Sequence, residues 1–231
     1  MTKTAILIDG GFFLKRYYVV YGKSPMDDGA AKVAKTISNI CQEFQKKFEF
    51  DLLKVFFYDC VPYEESHTTP IGNKKLDFGQ TPLALFKIKL FDELKKTRKM
   101  VLRLGKLKTG YGWLLKPMIT KDLLTGKTSF KSLTDEDFYF DLTQKGVDMK
   151  IGLDISTFAY KQQVDQIILV AGDADFIPAA KVARREGIDF ILDPMWQHID
   201  DKLFEHIDGM YSVCPNPNPK RNYRPKNPKS K

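Results

Sequence analysis

Short, largely apolar runs that end in or near an acidic residue recur along this chain. They lie at 4–8 ("TAILI"), 52–58 ("LLKVFFY"), 166–171 and 189–193 ("DFILD"), and helix-like segments separate them. A continuously apolar run predicts a strand that is buried on both faces of a sheet. Strands that alternate with helices predict parallel pairing. The pattern therefore predicts an α/β fold with a mainly parallel central sheet.

The helices between these runs are indicated by apolar residues at helical spacing. The pattern predicts helices at 30–48, 82–98, 146–163, 176–186 and roughly 200–208.

The segment between the second run and the third helix has a different character. Residues 61–80 are polar and contain Pro and Gly, which predicts a long loop. Residues 100–108 alternate apolar with basic side chains and predict a half-exposed strand, with 111–119 as its hairpin partner. We predict that about 61–134 form a basic insertion in a domain that spans 1–214.

Charge is unevenly distributed along the chain, whose net charge is +8. Residues 85–131 carry 13 Lys and Arg against 3 Asp and Glu, whereas residues 132–214 carry 7 against 16. Residues 215–231 are rich in Pro, Asn and basic residues and contain no acid, which predicts a disordered basic tail. This separation predicts an anionic partner and a cation site in the same protein.

The remaining composition narrows the class of protein. The three cysteines are widely spaced, so neither a disulfide framework nor a cysteine metal site is expected. No run of about 18 uncharged apolar residues is present, so no membrane span is predicted. We predict a cytoplasmic protein without a membrane partner.

Four acidic residues follow predicted strands: Asp9, Asp59, Asp173 and Asp193. The carboxyl ends of parallel strands lie at the same edge of a sheet, and functional residues collect there. The helix at 146–163 leads into the strand at 166–171, so Asp148 at its start is expected at the same edge. Carboxylate ligands without nearby His or Cys favour Mg²⁺ or Mn²⁺ as the bound metal ion.

Each of these acids also has a purely structural interpretation. An Asp after a strand commonly caps the next helix or forms a turn, and Asp175 is placed to cap the helix that follows it. Asp154 is six positions from Asp148, which is roughly 240° around a helix, so the two should face different ways. We predict that Asp154 forms a structural salt bridge or contacts a metal-binding residue without binding the metal itself.

Three separated motifs resemble those of a known family. The stretches "ILIDGGFF", "KGVDMKIGLDISTFA" and "VAGDADFIPAAKVARREGIDFIL" resemble, in this order, the motifs of NYN domains. NYN domains belong to the PIN-like nuclease superfamily, and the motifs resemble those of its LabA-like (DUF88) group. The resemblance covers about the first 15 residues and 145–193. It implies a Rossmann-like three-layer sandwich.

The resemblance also implies roles for particular residues. Asp9, Asp148 and Asp173 match the acids that bind divalent metal, Asp175 matches the second acid of the last motif, and Asp154 matches the acid after KGVD. Many members have Asn shortly after the first Asp, whereas Gly10-Gly11-Phe12-Phe13 stand here, and the usual Ser before GD is Ala171.

Family members are, or are thought to be, metal-dependent ribonucleases. We accordingly predict an RNA-cleaving hydrolase with catalytic residues Asp9, Asp148, Asp173 and Asp175 and with Lys145 near phosphate or the acids. A basic track is predicted to bind RNA, with Tyr111 and Trp113 beside it for stacking on bases. The track comprises Lys87, Lys89, Lys95, Lys96, Arg98, Lys99, Arg103, Lys106 and Lys108.

Other interpretations stay open at this level. The lysines of the track also fit a solvated helix face, and the aromatic residues also fit a core. A non-catalytic RNA-binding or regulatory protein of the same fold is the main alternative, because intact ligands do not establish turnover. A phosphatase or nucleotide hydrolase that acts on small molecules is a third hypothesis. The sequence leaves homo-oligomerisation open.

Overall fold

The computed structural model describes residues 1–219, and its central feature is a seven-stranded sheet. The strand order is β6-β5-β2-β1-β7-β8-β9, and only the pair β5–β6 is antiparallel. A separate antiparallel pair, β3 and β4, lies outside this sheet. The strands are β1 (Lys3–Asp9), β2 (Asp51–Cys60), β3 (Ser66–Thr68), β4 (Lys75–Asp77), β5 (Met100–Leu115), β6 (Phe138–Lys145), β7 (Gln166–Val170), β8 (Asp189–Asp193) and β9 (Gly209–Met210).

Helices cover both faces of the sheet. Side chains of α1, α3 and α4 form one core with alternate residues of the strands, and side chains of α6, α7 and α8 form the other. These two cores make the protein the predicted three-layer α/β sandwich. The helices are α1 (Gly10–Tyr21), α2 (Pro25–Asp28), α3 (Ala30–Phe48), α4 (Pro82–Lys95), α5 (Pro117–Leu124), α6 (Val147–Tyr160), α7 (Ile177–Arg185) and α8 (Asp201–Phe204).

Burial explains why the apolar runs predicted the strands so well. All five residues of β7 are buried, and Ile6 and Ile8 of β1 face one core while Ala5 and Leu7 face the other. A strand covered by helices on both faces has no polar side, so it appears in the sequence as an unbroken apolar run.

The structure corrects two predictions in the middle of the chain. Residues 100–108 and 111–119 do not form a hairpin: β5 is one long strand, and its antiparallel partner is β6. The glycines near 110 produce an irregularity in the β5–β6 register, between Thr109 and Trp113, instead of a turn. The stretch 61–80, predicted as a loop, contains the short strands β3 and β4.

The segment 61–134 divides between the sandwich and a projection beyond it. Helix α4 packs in the core, and residues 100–105 of β5 pair with β2 inside the sheet. Residues 106–115 pair only with β6, so they extend past the carboxyl edge of the parallel strands. We call the β5–β6 ribbon from residues 106–115 and 138–145 the arm.

Two expectations concern the ends of elements and of the chain. The helix expected at roughly 200–208 is limited to α8. Helix α1, which the pattern did not predict, begins directly after β1. The tail prediction falls largely on residues 220–231, which lie outside the described residues. None of the helices within residues 1–219 is long and apolar enough to cross a membrane.

Candidate active site

The parallel strands bring the predicted acids to one edge of the sheet. Asp9 ends β1, Asp173 follows β7 by three positions, and Asp148 lies in the first turn of α6. β1 and β7 are adjacent, which places Asp9 next to the segment that carries Asp173. The edge beside the central strand is where an open α/β sheet forms its crevice.

Electrostatic effects show that these acids influence one another. Burial raises the pKa of Asp9 to about 6, and the charges of Asp148 and Asp59 contribute to the rise against a hydrogen bond from the Phe12 amide. The pKa of Asp148 is raised by partial burial and by the charges of Asp173 and Asp175. Carboxylates that repel one another across a partly buried edge attract a cation.

The acids are near one another but do not form a finished ligand set. Within residues 1–219, no group of three or more His, Cys, Asp or Glu side chains is arranged to hold a metal ion. The donor chemistry nevertheless fits a hard divalent cation, because the acids supply only carboxylate oxygens. Side-chain rotation at the exposed Asp148, Asp173 and Asp175 is the available way to complete a site.

Asp9 is held in place by the start of α1. Its Oδ1 accepts a hydrogen bond from the Phe12 amide at 3.1 Å, so the carboxylate caps the helix. Gly10 permits this abrupt start, because a Cβ there would lie 2.6 Å from the ring of Phe57.

Asp173 and Asp175 have different local roles. Oδ1 of Asp173 accepts a hydrogen bond from the Asp175 amide at 3.0 Å and closes a 3₁₀ turn at Ala174–Phe176. Asp175 therefore lies within this turn and does not cap α7, where no side-chain cap is formed. The ring of Phe12 packs on Gly172, where a Cβ would lie 2.5 Å from it. Phe12 thus packs against the start of the turn that carries Asp173 and Asp175.

Asp154 faces away from the other acids. Its Oδ2 accepts hydrogen bonds from the Tyr58 hydroxyl at 2.8 Å and from Nε of Arg103 at 3.0 Å. The guanidinium of Arg103 also lies 5.6 Å from the centre of the Phe56 ring. Asp154 and Arg103 therefore form a local network on the α6 side of the sheet, and Arg103 is engaged in it.

A buried ion pair beside Asp9 was not foreseen. Nζ of Lys87 lies 2.6 Å from Oδ1 of Asp59, which also accepts the Cys60 amide at 2.7 Å. Asp59 is fully buried, and its Oδ2 has no hydrogen-bond partner among residues 1–219. The sequence indicates Asp59 as a candidate because it follows a strand, but no sequence pattern indicates that Lys87 is its partner. Lys87 lies at the site edge and not on an exposed track.

Gln144 is a second residue that the sequence did not single out. A Cβ placed on Gly11 would lie 3.4 Å from Oδ1 of Asp9 and 3.7 Å from Nε2 of Gln144, so both side chains border the same glycine. Gln144 immediately precedes Lys145 at the end of β6, where the arm returns to the sheet. Its amide can donate to a group bound beside Asp9.

The predicted basic track separates into two groups. On α4, Lys95 pairs with Asp92 at 2.9 Å and Lys96 with Glu93 at 2.7 Å. Lys99 contacts Asp51 and the Leu52 carbonyl near the opposite edge. By contrast, exposed Lys106 and Lys108 of β5 form no ion pair with residues 1–219, and the same holds for Lys89, Arg98 and Lys145.

Lys106 and Lys145 are directly opposite each other in the β5–β6 ladder. Like charges at such positions repel, which is unfavourable for the strand pair unless an anion lies between or above them. Lys145 also ends β6, two residues before α6 begins and three residues before Asp148 in the sequence. The arm therefore presents positive charge beside the acidic edge.

The aromatic residues of the arm differ in exposure. Trp113 is half-buried: its Nε1 donates to the Thr68 carbonyl at 2.8 Å, and its ring packs on Phe140 and Phe78. Tyr111, at the register irregularity, is 90% exposed. Trp113 thus supports the arm, whereas Tyr111 has a surface available for stacking.

Comparison with known proteins identifies one family. The family model of the NYN domain matches residues 108–209, which include Asp148, Asp154, Asp173 and Asp175 but not Asp9. None of the curated proteins matches the sequence. The fold is similar to the crystal structure of a protein of unknown function from Vibrio parahaemolyticus RIMD 2210633, with 15% identity, a TM-score of 0.47, and coverage of 92% of this chain and 93% of that chain. Residues 108–209 thus match the NYN domain family, and the α/β sandwich is consistent with an NYN-domain protein of the PIN-like superfamily.

Proposed function

We propose that this protein is a metal-dependent ribonuclease that hydrolyses phosphodiester bonds. The proposal rests on the charge interactions at the sheet edge, where the charge of Asp148 helps to raise the pKa of Asp9 and the charges of Asp173 and Asp175 help to raise that of Asp148, with unpaired lysines on the arm. Acids that attract a cation and lysines that attract phosphate are both needed to act on a polyanion. NYN and PIN-like domains are generally nuclease domains, which agrees with this chemistry.

Asp9, Asp148 and Asp173 would hold Mg²⁺ or Mn²⁺. A bound ion of this kind supplies Lewis acidity at the scissile phosphate and promotes ionisation of the attacking water. Asp175, whose carboxylate lies in the turn beside Asp173, orients that water and accepts its proton. Gln144 and Lys145 approach from the arm and contact the phosphate oxygens. Lys106 and Lys108 bind the phosphates that follow.

The test is cleavage of labelled single-stranded RNA in Mn²⁺ by the wild-type protein and single variants. Asp9→Asn and Asp173→Asn are expected to lower the rate at least about 100-fold, since metal catalysis contributes several kcal/mol and each 1.4 kcal/mol is about tenfold. Asp154→Asn is the matched control from the same helix as Asp148, because it contacts Tyr58 and Arg103 instead of the edge. Cleavage that survives both Asp9→Asn and Asp173→Asn would reject the proposal, and equal cleavage of DNA would reject RNA as the preferred substrate.

A non-catalytic RNA-binding or regulatory protein is the second candidate. It is favoured by one observation, namely that no ready ligand set of three side chains exists within residues 1–219. It predicts RNA binding that is lost at high salt without any cleavage in Mg²⁺ or Mn²⁺.

A further inference from the structure

The far side of the acidic edge contains a cavity of different chemistry. It has a volume of about 400 Å³, and its lining includes Arg16, Trp196, Gln197, His198, Asn216 and Asn218. No carboxylate contributes to this lining, although the neighbouring edge is acidic. The volume is within the range of roughly 300–1,000 Å³ that is usual for sites that bind one small molecule.

The cavity adjoins the acids through a shared wall. Nε2 of Gln197 lies 2.9 Å from the Cβ position of Gly172, the residue before Asp173. A molecule in the cavity therefore lies next to the proposed reaction site, on the side opposite the arm. The cavity is placed to hold a unit of the substrate that is adjacent to the phosphate being attacked.

The turn that forms this wall is strained and firmly held. Met195 and Trp196 are consecutive non-glycine residues with φ values of 46° and 62°. Such left-handed residues cost free energy and persist where the surrounding structure fixes them, commonly at functional sites. Asp193 accepts the Met195 amide at 2.7 Å, and Ser212 accepts the Trp196 amide at 3.0 Å.

Arg16 both fixes the turn and lines the cavity. Its Nε and Nη2 donate to the Met195 carbonyl at 3.2 Å and 2.6 Å, which sets the orientation of the guanidinium plane. A fixed guanidinium plane is a surface on which unpaired RNA bases stack. The amides of Gln197, Asn216 and Asn218 and the imidazole of His198 supply both donors and acceptors, as the edge of a base requires.

We propose that this cavity binds the base of one unpaired nucleotide of the substrate. The inference rests on the proposed action on RNA. A base held in this cavity would position a flexible strand whose phosphates contact the arm. The base lies against Arg16 and exchanges hydrogen bonds with the amide groups. The acids then face the phosphate attached to that nucleotide.

The test uses mononucleotides without metal, so that binding is separated from cleavage. In a Trp113→Phe background Trp196 is the only tryptophan, and its fluorescence reports on the cavity. AMP and UMP, each titrated in EDTA, are expected to change this fluorescence, and ribose 5-phosphate, which has no base, is not. Arg16→Gln is expected to weaken nucleotide binding at least about tenfold, the effect of losing one good base contact.

Lys15→Gln is the matched control, because it removes the same charge from the adjacent, exposed position of α1. His198→Ala is a second test that leaves the hydrogen bonds of the turn intact, and it should also weaken binding if Arg16→Gln fails to fold. The inference is overturned if ribose 5-phosphate binds as AMP does, if no nucleotide changes the fluorescence at millimolar concentration, or if Arg16→Gln and Lys15→Gln have equal effects. Nucleotide binding without RNA cleavage by the wild type would remove the ribonuclease proposal alone, and cleavage without nucleotide binding would remove this inference alone.

Discussion

The two flanks of the acidic edge bury a strand-end carboxylate in different ways. Asp59 on the β2 flank and Asp193 on the β8 flank are both fully buried, and each has one oxygen without a hydrogen-bond partner among the described residues. Asp59 is neutralised by the ammonium of Lys87. Asp193 instead accepts the Ser212 hydroxyl and the Met195 amide, and its burial raises its pKa to about 6.

The difference matches the chemistry of each flank. The β2 flank leads through β5 to the arm, whose exposed, unpaired lysines are suited to phosphate. The β8 flank carries neutral amides and a tethered guanidinium around a cavity, a composition suited to a base. The acids therefore lie between a flank whose charges suit a phosphate and a flank whose polar groups suit a base.

The largest expected effect is on stability when the ion pair is broken. Lys87→Met leaves Asp59 buried without its counter-charge, which typically costs about 3–5 kcal/mol. The free energy of unfolding, measured in urea, should fall by an amount in this range. Lys89→Met, at an exposed position of the same helix, should change it little.

A double variant separates loss of charge balance from loss of packing. Asp59→Asn with Lys87→Met removes both charges and should restore most of the lost stability, because a neutral pair no longer leaves a buried ion. If the double variant is as unstable as Lys87→Met alone, the methylene packing of Lys87 matters more than its charge.

The β8 flank predicts a dependence on pH. The raised pKa of Asp193 means that the folded state holds its proton more tightly than the unfolded state, for which the ordinary value is 3.8. The stability from this group is therefore present at low pH and is lost as the pH rises through about 6. Between pH 4.5 and 7.5 the loss amounts to about 2 kcal/mol.

Asp193→Asn removes this titration. The unfolding free energy of the variant minus that of the wild type should rise by about 2 kcal/mol from pH 4.5 to pH 7.5. This change is expected even if the variant is more or less stable than the wild type at both pH values. Asp9 is present in both proteins, so its contribution cancels in the difference between their unfolding free energies. A difference that is constant across this range would show that Asp193 keeps an ordinary pKa despite its burial.

The sequence predicted what depends on local pattern and on the parallel sheet. Asp9 and Asp173 lie at one edge because they follow adjacent parallel strands, and Asp148 joins them because α6 leads into β7. Periodicity indicates which face of an element is buried and where the element ends. Those two facts were enough to predict the fold class and the edge of the sheet at which the acids lie.

Contacts between distant side chains could not be predicted in this way. Lys87 and Asp59 are 28 positions apart, and Arg103 and Asp154 are 51 apart. Their pairing depends on how α4, β2, β5 and α6 pack, which no local pattern contains. For the same reason a run of lysines in the sequence did not distinguish those paired on α4 from those left unpaired on the arm.

The smallest expected effect compares these two groups of lysines. Lys106→Gln/Lys108→Gln and Lys95→Gln/Lys96→Gln each remove two positive charges, but the second pair already contacts Asp92 and Glu93. The arm variant should weaken binding of single-stranded RNA about tenfold at low salt and reduce the slope of log K against log salt by about 1.4, since each phosphate contact contributes roughly 0.7. The α4 variant should change both quantities little. Equal effects of the two variants, measured by fluorescence anisotropy over a salt series, would show that overall charge attracts the RNA and that the arm has no contact of its own.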